Sequence, residues 1–481
     1  MTNAIAYETA RLDRRARAML LALCGALFLD ALDVSMVGVA LPSIRNDLHM
    51  STSSLQWVVS AYVLGYGGFL LLGGRAADLL GRRRVFVLAL GVFVVASTLG
   101  GVAHDGNLLI ATRFIKGVSA AFTAPAGLSI ITTSFPEGPV RTKALTIYTA
   151  TGAIGFSLGL VFGGLLTELG WRFVFFLPAP VALLALIGAL RFVPRDGARV
   201  HAARRFDAAG AVLMTGSMLL LVYTLVEAPT VGWAAARTLG SFVGVALLLA
   251  AFVVRELRAA APLVRLGLLR SQTLVRANLG AMALFGGWVG FQFIATLYMQ
   301  QLRGWSPIET GLAIFPGGAL VVLLSPALAP LIARVGPTRL IATGLLSAAA
   351  GYALFVRIGL HSGYAADVLP SMVLLGVGFA LAFGPLNIAG TTGVAPAEQG
   401  LAGGLLNTSF QFGGALVLAI VTAVNNANTG SATPQGLLDG FHPALVVSVA
   451  AALVGAVAVG ARLPGRRDET VIEAEVEVEA A

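Results

Sequence analysis

Asp30 and Asp33 stand three residues apart inside the apolar run LALCGALFLDALDVSMVGVALP, and Arg113 and Lys116 stand three apart inside another, LLIATRFIKGVSAAF. A charge at the centre of a bilayer costs about 2.5–3.5 kcal/mol or more, so such residues imply ion pairing, a wet cavity or a function. Residues three apart share one face of a helix. At ~1.5 Å per residue, Asp33 and Asp30 lie roughly 12 and 16 Å below the outer end of their run, and Arg113 and Lys116 roughly 9 and 14 Å below that of theirs. The two pairs are level, and they are expected to meet as an ion-paired cluster. A carboxylate's hold on a proton depends on its access to water and its distance from a cation. A helix movement that changes either would switch proton affinity, which is what coupling a proton to another solute requires. Asp33, or Asp30, is the candidate for the titrating group; the alternative is a static, neutralising cluster that holds helices together.

The elements that must position these charges follow from composition. Hydrophobic residues make up 57% of the 481-residue chain and charged ones only 11%, far from the roughly 45–50% and 25% of soluble domains. Apolar runs recur near 18–41, 55–73, 85–103, 107–134, 142–166, 173–192, 208–226, 238–254, 276–300, 310–333, 339–358, 367–391, 402–425 and 443–462. Each is near the ~20 helical residues that cross a bilayer. They are continuously apolar, unlike the alternating ~10-residue strands of a membrane barrel. The expectation is an all-α membrane protein of fourteen spans. The net charge of +9 does not indicate nucleic-acid binding, because with an inside N-terminus the inner segments hold 25 Lys and Arg and the outer loops five, Arg45, Arg172, Arg237, Arg303 and Arg357. That asymmetry puts both termini in the cytoplasm. A lone cysteine, Cys24, excludes an intramolecular disulfide. The five histidines, all in or beside loops, form no catalytic or metal constellation, and no GxxxxGK[ST] loop is present for ATP.

An internal repeat organises the spans. Pro125 and Pro136 recur 260 residues later as Pro385 and Pro396, and the same offset lays span one on span nine. Repeats of this kind are common in secondary transporters. Spans one to six then match nine to fourteen, with seven and eight inserted. The expected organisation is a cytoplasmic segment 1–17, an N-terminal six-helix bundle 18–192, a linker region with the two inserted helices 193–275, a C-terminal six-helix bundle 276–462 and an acidic tail 463–481.

At this point the residues resemble the fourteen-span drug–proton antiporters of the major facilitator superfamily. LDVSMVGVALPSI (32–44) resembles that family's first signature, and GGRAADLLGRRR (73–84) its cytoplasmic loop signature, with Ala76 and Leu79 replacing the usual leucine and basic residue. RFIKG (113–117) is similar to Arg-x-x-Gln-Gly with Lys116 for Gln, and GFSLGLVFGG (155–164) to the antiporter signature with Leu160 for Pro. The resemblance implies a major facilitator fold in the plasma membrane and export of hydrophobic drugs or antibiotics in exchange for protons. The proton-motive force would drive it, with no cofactor. It assigns a gate role to the loop residues Gly74, Asp78, Gly81, Arg82 and Arg83. Asp78 is expected to face the start of span thirteen near Gly400 and Leu401, where a helix dipole attracts an anion. Gly155, Gly159 and Gly163, with Gly164 beside them, form a smooth stripe suited to close packing. Such packing would either seal the opposite bundle or simply join helices.

Candidate lining residues of a substrate cavity are Tyr62, Tyr66, Phe122, Phe156, Trp288, Gln292, Asn387, Asn407 and Gln411. Aromatic walls with a few amides suit a hydrophobic small molecule. The expected partners are that molecule, protons and lipid; no nucleic acid is expected, and the protein is expected to be a monomer. Two rival functions remain: export of an endogenous metabolite or self-made antibiotic, and a transport-inactive receptor or membrane enzyme.

Overall fold

The computed structural model describes residues 13–135, 139–195, 207–259, 267, 271–394, 399–431 and 433–460. The first bundle is built from α1 (Arg14–Asp47), α2 (Thr52–Leu80), α3 (Arg82–Gly101), α4 (Gly106–Ser134), α5 (Pro139–Leu169) and α6 (Phe173–Phe192). An inserted pair follows, α7 (Ala208–Val231) and α8 (Ala236–Arg258). The second bundle comprises α9 (Gln272–Leu302), α10 (Pro307–Val335), α11 (Pro337–Val356), α12 (Tyr364–Ala389), α13 (Gln399–Asn428) and α14 (Pro434–Gly460). Over the described residues, thirteen of these are long and apolar enough to span a bilayer, and α7 carries a shorter apolar stretch, Ala209–Leu225. In lipid the backbone must satisfy itself, and a helix does so within one segment.

The helix ends are set by local chemistry. Ser51 caps α2 by accepting from the Ser54 amide, Asp105 caps α4 through the amides of Asn107 and Leu108, and Ser306 and Glu309 form a reciprocal capping box on α10. Each satisfies amides that have no partner inside the helix. The expected loop at 73–84 is a correction: α2 runs through to Leu80 and α3 starts at Arg82, so the turn is Gly81 alone, with φ 101°. Only glycine adopts that backbone cheaply, so one residue suffices to reverse the chain. Two other boundaries shift: α1 begins at Arg14, inside the segment expected to precede the first span, and α14 begins at Pro434 instead of 443. Polar turns continue a helix beyond the apolar window that reveals it.

The two bundles share a core in one half of the membrane and part in the other. On the outer side a single apolar cluster joins Met36, Val39 and Leu41 of α1, Leu160 of α5, Phe291 and Ile294 of α9, Ile314 of α10 and Leu418 of α13. On the inner side each bundle has its own. Leu23, Phe86, Ile130 and Tyr148 belong to the first, and Ala281, Leu345, Leu386 and Phe410 to the second. α5 packs on α10 along one edge of the seam and α2 on α13 along the other, where α7 joins them through Val222 and Leu225. The molecule is thus closed toward the outside, with separately packed halves facing the cytoplasm.

Candidate functional site

Midway along α1, Asp33 is fully buried and both of its carboxylate oxygens are engaged, Oδ2 by Arg113 Nη1 and Oδ1 by Lys116 Nζ. α1 and α4 run in opposite directions, so residues three apart on each bring the two cations to a single acid. Arg113 also donates from Nε to the Val58 carbonyl of α2 at 3.0 Å, and its guanidinium lies 4.5 Å from the centroid of the Tyr62 ring. The Lys116 ammonium lies 4.7 Å from the Phe93 ring and 5.3 Å from that of Phe175. Aromatic faces stabilise cations that have left water. This arrangement requires α2 and α4 to touch through their backbones. Gly117 lies against the Tyr62 carbonyl and Gly65 against the Phe114 carbonyl, where a Cβ would collide.

Asp30 lies one turn further inward and is differently placed. It is buried, and Thr123 Oγ1 donates to its Oδ2 at 3.3 Å. Among the described residues it forms no salt bridge. The four charges sum to zero, yet only Asp33 is clamped. Sequence reasoning missed Thr123, although it follows Lys116 by seven residues and so shares its helix face.

The other expected residues fall into several environments. Gly74 meets only Pro125, 3.7 Å from where its Cβ would stand, whereas neighbouring Gly73 lies against the Ala121 carbonyl. Arg83 donates to the Leu190 carbonyl at 2.5 Å, tying the start of α3 to the last turn of α6 within its own bundle. Arg82 is half-buried at the start of α3. The side chains of Asp78, Gly400 and Leu401, and with them the expected latch, lie outside the described residues, as does the acidic tail. The glycine stripe divides. Gly155, Gly159 and Gly163 seat α1, at Phe28, at Leu32 and Ser35, and at Met36, within the first bundle. Gly164 alone of the four faces the opposite bundle, its Cβ position 2.6 Å from Ile308 Cα, and Gly311 reciprocates against the Leu160 carbonyl.

Of the cavity candidates, Tyr62 is fully buried under Arg113, Tyr66 is half-buried with its ring 6.1 Å from that of Tyr62, and Phe122 is half-buried further inward on α4, beside Gly73. Phe156 and Phe379 meet Trp288 at ring separations of 5.8 and 5.6 Å, joining α5, α12 and α9 at the level where the shared outer core ends. Gln292 is buried one turn outward of Trp288, against Gly38 of α1. Gln411 packs on Gly67 of α2 across the seam. Asn387 and Asn407 bond to carbonyls of their own helices, those of Phe383 and Gly403. Trp171 is buried and donates to Asp47, which also pairs with Arg172. Sequence reasoning also missed the outer contacts across the seam. Arg45 donates to Gln301 at 3.0 Å, Gln300 to the Val39 carbonyl at 2.8 Å and Asn426 to Ser53 at 3.2 Å.

Two six-helix bundles with an inserted pair, with charges buried inside the first bundle and aromatic rings meeting across the seam, have the architecture of a membrane transporter. The chain belongs to the Major Facilitator Superfamily, whose family model matches residues 23–418. It is 39% identical to the puromycin resistance protein of Streptomyces alboniger, covering 91% of this chain and 89% of that one. It is 38% identical to the cephamycin export protein of Amycolatopsis lactamdurans, covering 91% and 90%. The fold also matches that of a POT family transporter solved with a thioalcohol-conjugated peptide, with a TM-score of 0.68, 15% identity and coverage of 91% and 94%. The protein is therefore a multi-pass transporter of the bacterial cytoplasmic membrane, related to antibiotic resistance and export proteins.

Proposed function

We propose that the protein exports hydrophobic small molecules of the antibiotic type from the cytoplasm in exchange for protons, with Asp30 as the proton-binding group. The observation that carries this reading is the contrast between two acids one turn apart. Asp33 would have to release two cations to take a proton, whereas Asp30 has none to release. Protonation of Asp30 adds one positive charge to a buried cluster that is otherwise neutral. Its cost therefore depends on how much water reaches it, which differs between a seam open inward and one open outward. That dependence links the proton to the conformational state, and linkage is reciprocal, so a substrate favouring one state shifts proton binding in the other sense. Asp33, Arg113 and Lys116 then serve as the fixed charges that hold α1 against α4. The likeness to a puromycin resistance protein and a cephamycin export protein supports export, with antibiotics as the class of cargo.

Purified protein in liposomes with an imposed pH gradient and a panel of hydrophobic compounds tests the reading. The wild type should accumulate substrate only with the gradient. The Asp30→Asn variant should bind substrate but lose the gradient dependence. Full gradient-driven exchange by that variant would remove Asp30 from the mechanism.

A further inference from the structure

The inner end of α6 is ringed by arginine. Residues 13–17 at the start of α1, 82–84 at the start of α3 and 191–195 at the end of α6 hold eight arginines and one acid, Asp13, whose carboxylate caps α1. α6 packs on both α1 and α3. Ala22 Cβ of α1 lies 3.0 Å from where a Cβ on Gly188 of α6 would stand, and Arg83 of α3 donates to the Leu190 carbonyl. α1 and α6 are antiparallel, so counting along both from that contact puts Phe192, the last residue of α6, level with Ala18. Arg14, Arg15, Arg84, Arg191 and Arg195 are all exposed. Topogenesis asks for inner cations, but it does not ask that three helices bring them to one corner.

Outward of this corner the same helices present exposed apolar side chains. Arg84 is followed at four-residue spacing by Leu88 and Val92, and Arg191 is preceded by Ile187 and Leu184, so each cation stands at the end of a lipid-facing stripe. Cations at headgroup level above an apolar face match a phospholipid, phosphate above and acyl chains below. We propose that the inner end of α6 is a binding site for an anionic phospholipid that carries two phosphodiesters. Arg14 and Arg15 approach with α1 and Arg84 with α3, while Arg191 and Arg195 belong to α6 and the chain just after it. Axes of packed helices lie ~8–10 Å apart, too far for one phosphate to take bidentate bonds from both flanks. Two phosphates on one headgroup reach both. All three helix ends belong to the first bundle, so the site keeps its shape when the bundles rock, and the lipid is a resident one and not cargo. The site uses no residue of the seam and stands apart from the export reading.

The test is native mass spectrometry of the delipidated full-length protein in neutral detergent, titrated with cardiolipin, phosphatidylglycerol, phosphatidylcholine or soluble glycerol 3-phosphate. Cardiolipin should bind at least tenfold more tightly than phosphatidylglycerol at equal phosphate, and the other two should not saturate the protein. The combined variant Arg84→Gln, Arg191→Gln, Arg195→Gln should lose cardiolipin affinity at least tenfold. A control with the same loss of charge elsewhere on the inner side, Arg258→Gln, Arg334→Gln, Arg339→Gln, should keep it. Size-exclusion profiles of both should match the wild type. The matching lysine set, which keeps charge but not the bidentate fork, should bind severalfold more weakly than the wild type and so tests the site even if the glutamine set does not fold. Equal affinity for the two anionic lipids, or equal loss in the control, would reduce the corner to a diffuse basic surface and overturn the site. Saturation by glycerol 3-phosphate at the same concentrations would assign it to a soluble anion and overturn the lipid.

Discussion

At the residue scale, the cluster around Asp33 ties α1 to α4 through two buried cations, and its removal has a sign that can be tested. Arg113 and Lys116 are both buried and both directed at this one carboxylate. Breaking a buried ion pair by removing one partner is destabilising by about 3–5 kcal/mol, because the other charge is left uncompensated. Asp33→Asn should therefore lower the thermal midpoint of the detergent-purified protein well below that of Asp30→Asn. Adding Lys116→Gln should recover a large part of the loss, since it restores the balance of charge. Thermal melts followed by size exclusion check this, and a double variant no more stable than the single one would mean that packing, not charge, sets the effect. The four charges and their common depth were legible in the sequence. Which acid keeps the cations was not, because that depends on the rotation of α1 about its own axis.

At the scale of elements, glycines decide how closely helices approach. The four-residue spacing of Gly155, Gly159 and Gly163 announced a smooth face, but not which helix would lie on it; the structure puts α1 there. The contact that closes the seam on the outer side is the neighbouring pair Gly164 and Gly311, where α5 and α10 touch through backbone atoms. A Cβ at Gly311 would overlap the Leu160 carbonyl, and overpacking of this kind costs about 1–3 kcal/mol. Gly311→Val should therefore shift the population toward an outward-open form roughly tenfold, at ~1.4 kcal/mol per decade. In a Cys24→Ala background, a cysteine at position 307, beside that contact, should react faster with a membrane-impermeant thiol reagent in the Gly311→Val variant than without it. Equal rates would show that α10 yields without opening the seam.

At the scale of the whole molecule, one apolar core spans both bundles on the outer side and two separate cores serve the inner side. Polar contacts reinforce the outer closure. Gln300 and Gln301 lie in a π-helical turn at the end of α9, Tyr298–Leu302, and reach Val39 and Arg45 of α1. A net hydrogen bond contributes about 0.5–1.5 kcal/mol, and one to a charged group about 1.5–3. The double variant Arg45→Ala, Gln300→Ala should open the outer side by tenfold or more, read as a longer distance between spin labels at Ser53 and Asn426. An unchanged distance distribution would leave the apolar core as the whole of the outer gate.

The sequence alone determined the solvent and the all-helical, many-span character of the chain, because hydropathy is a property read one segment at a time; the direction of the spans and the repeat are expectations drawn from basic residues and the proline offset. It also located the buried charges, since depth along a helix follows from counting residues. Only the tertiary structure decided that Asp33 and not Asp30 holds the cations and that three of the four signature glycines serve their own bundle. Those facts depend on how each helix is rotated and which neighbour it meets. In lipid that is fixed by close packing among many faces of nearly equal hydrophobicity, so no single segment carries the information.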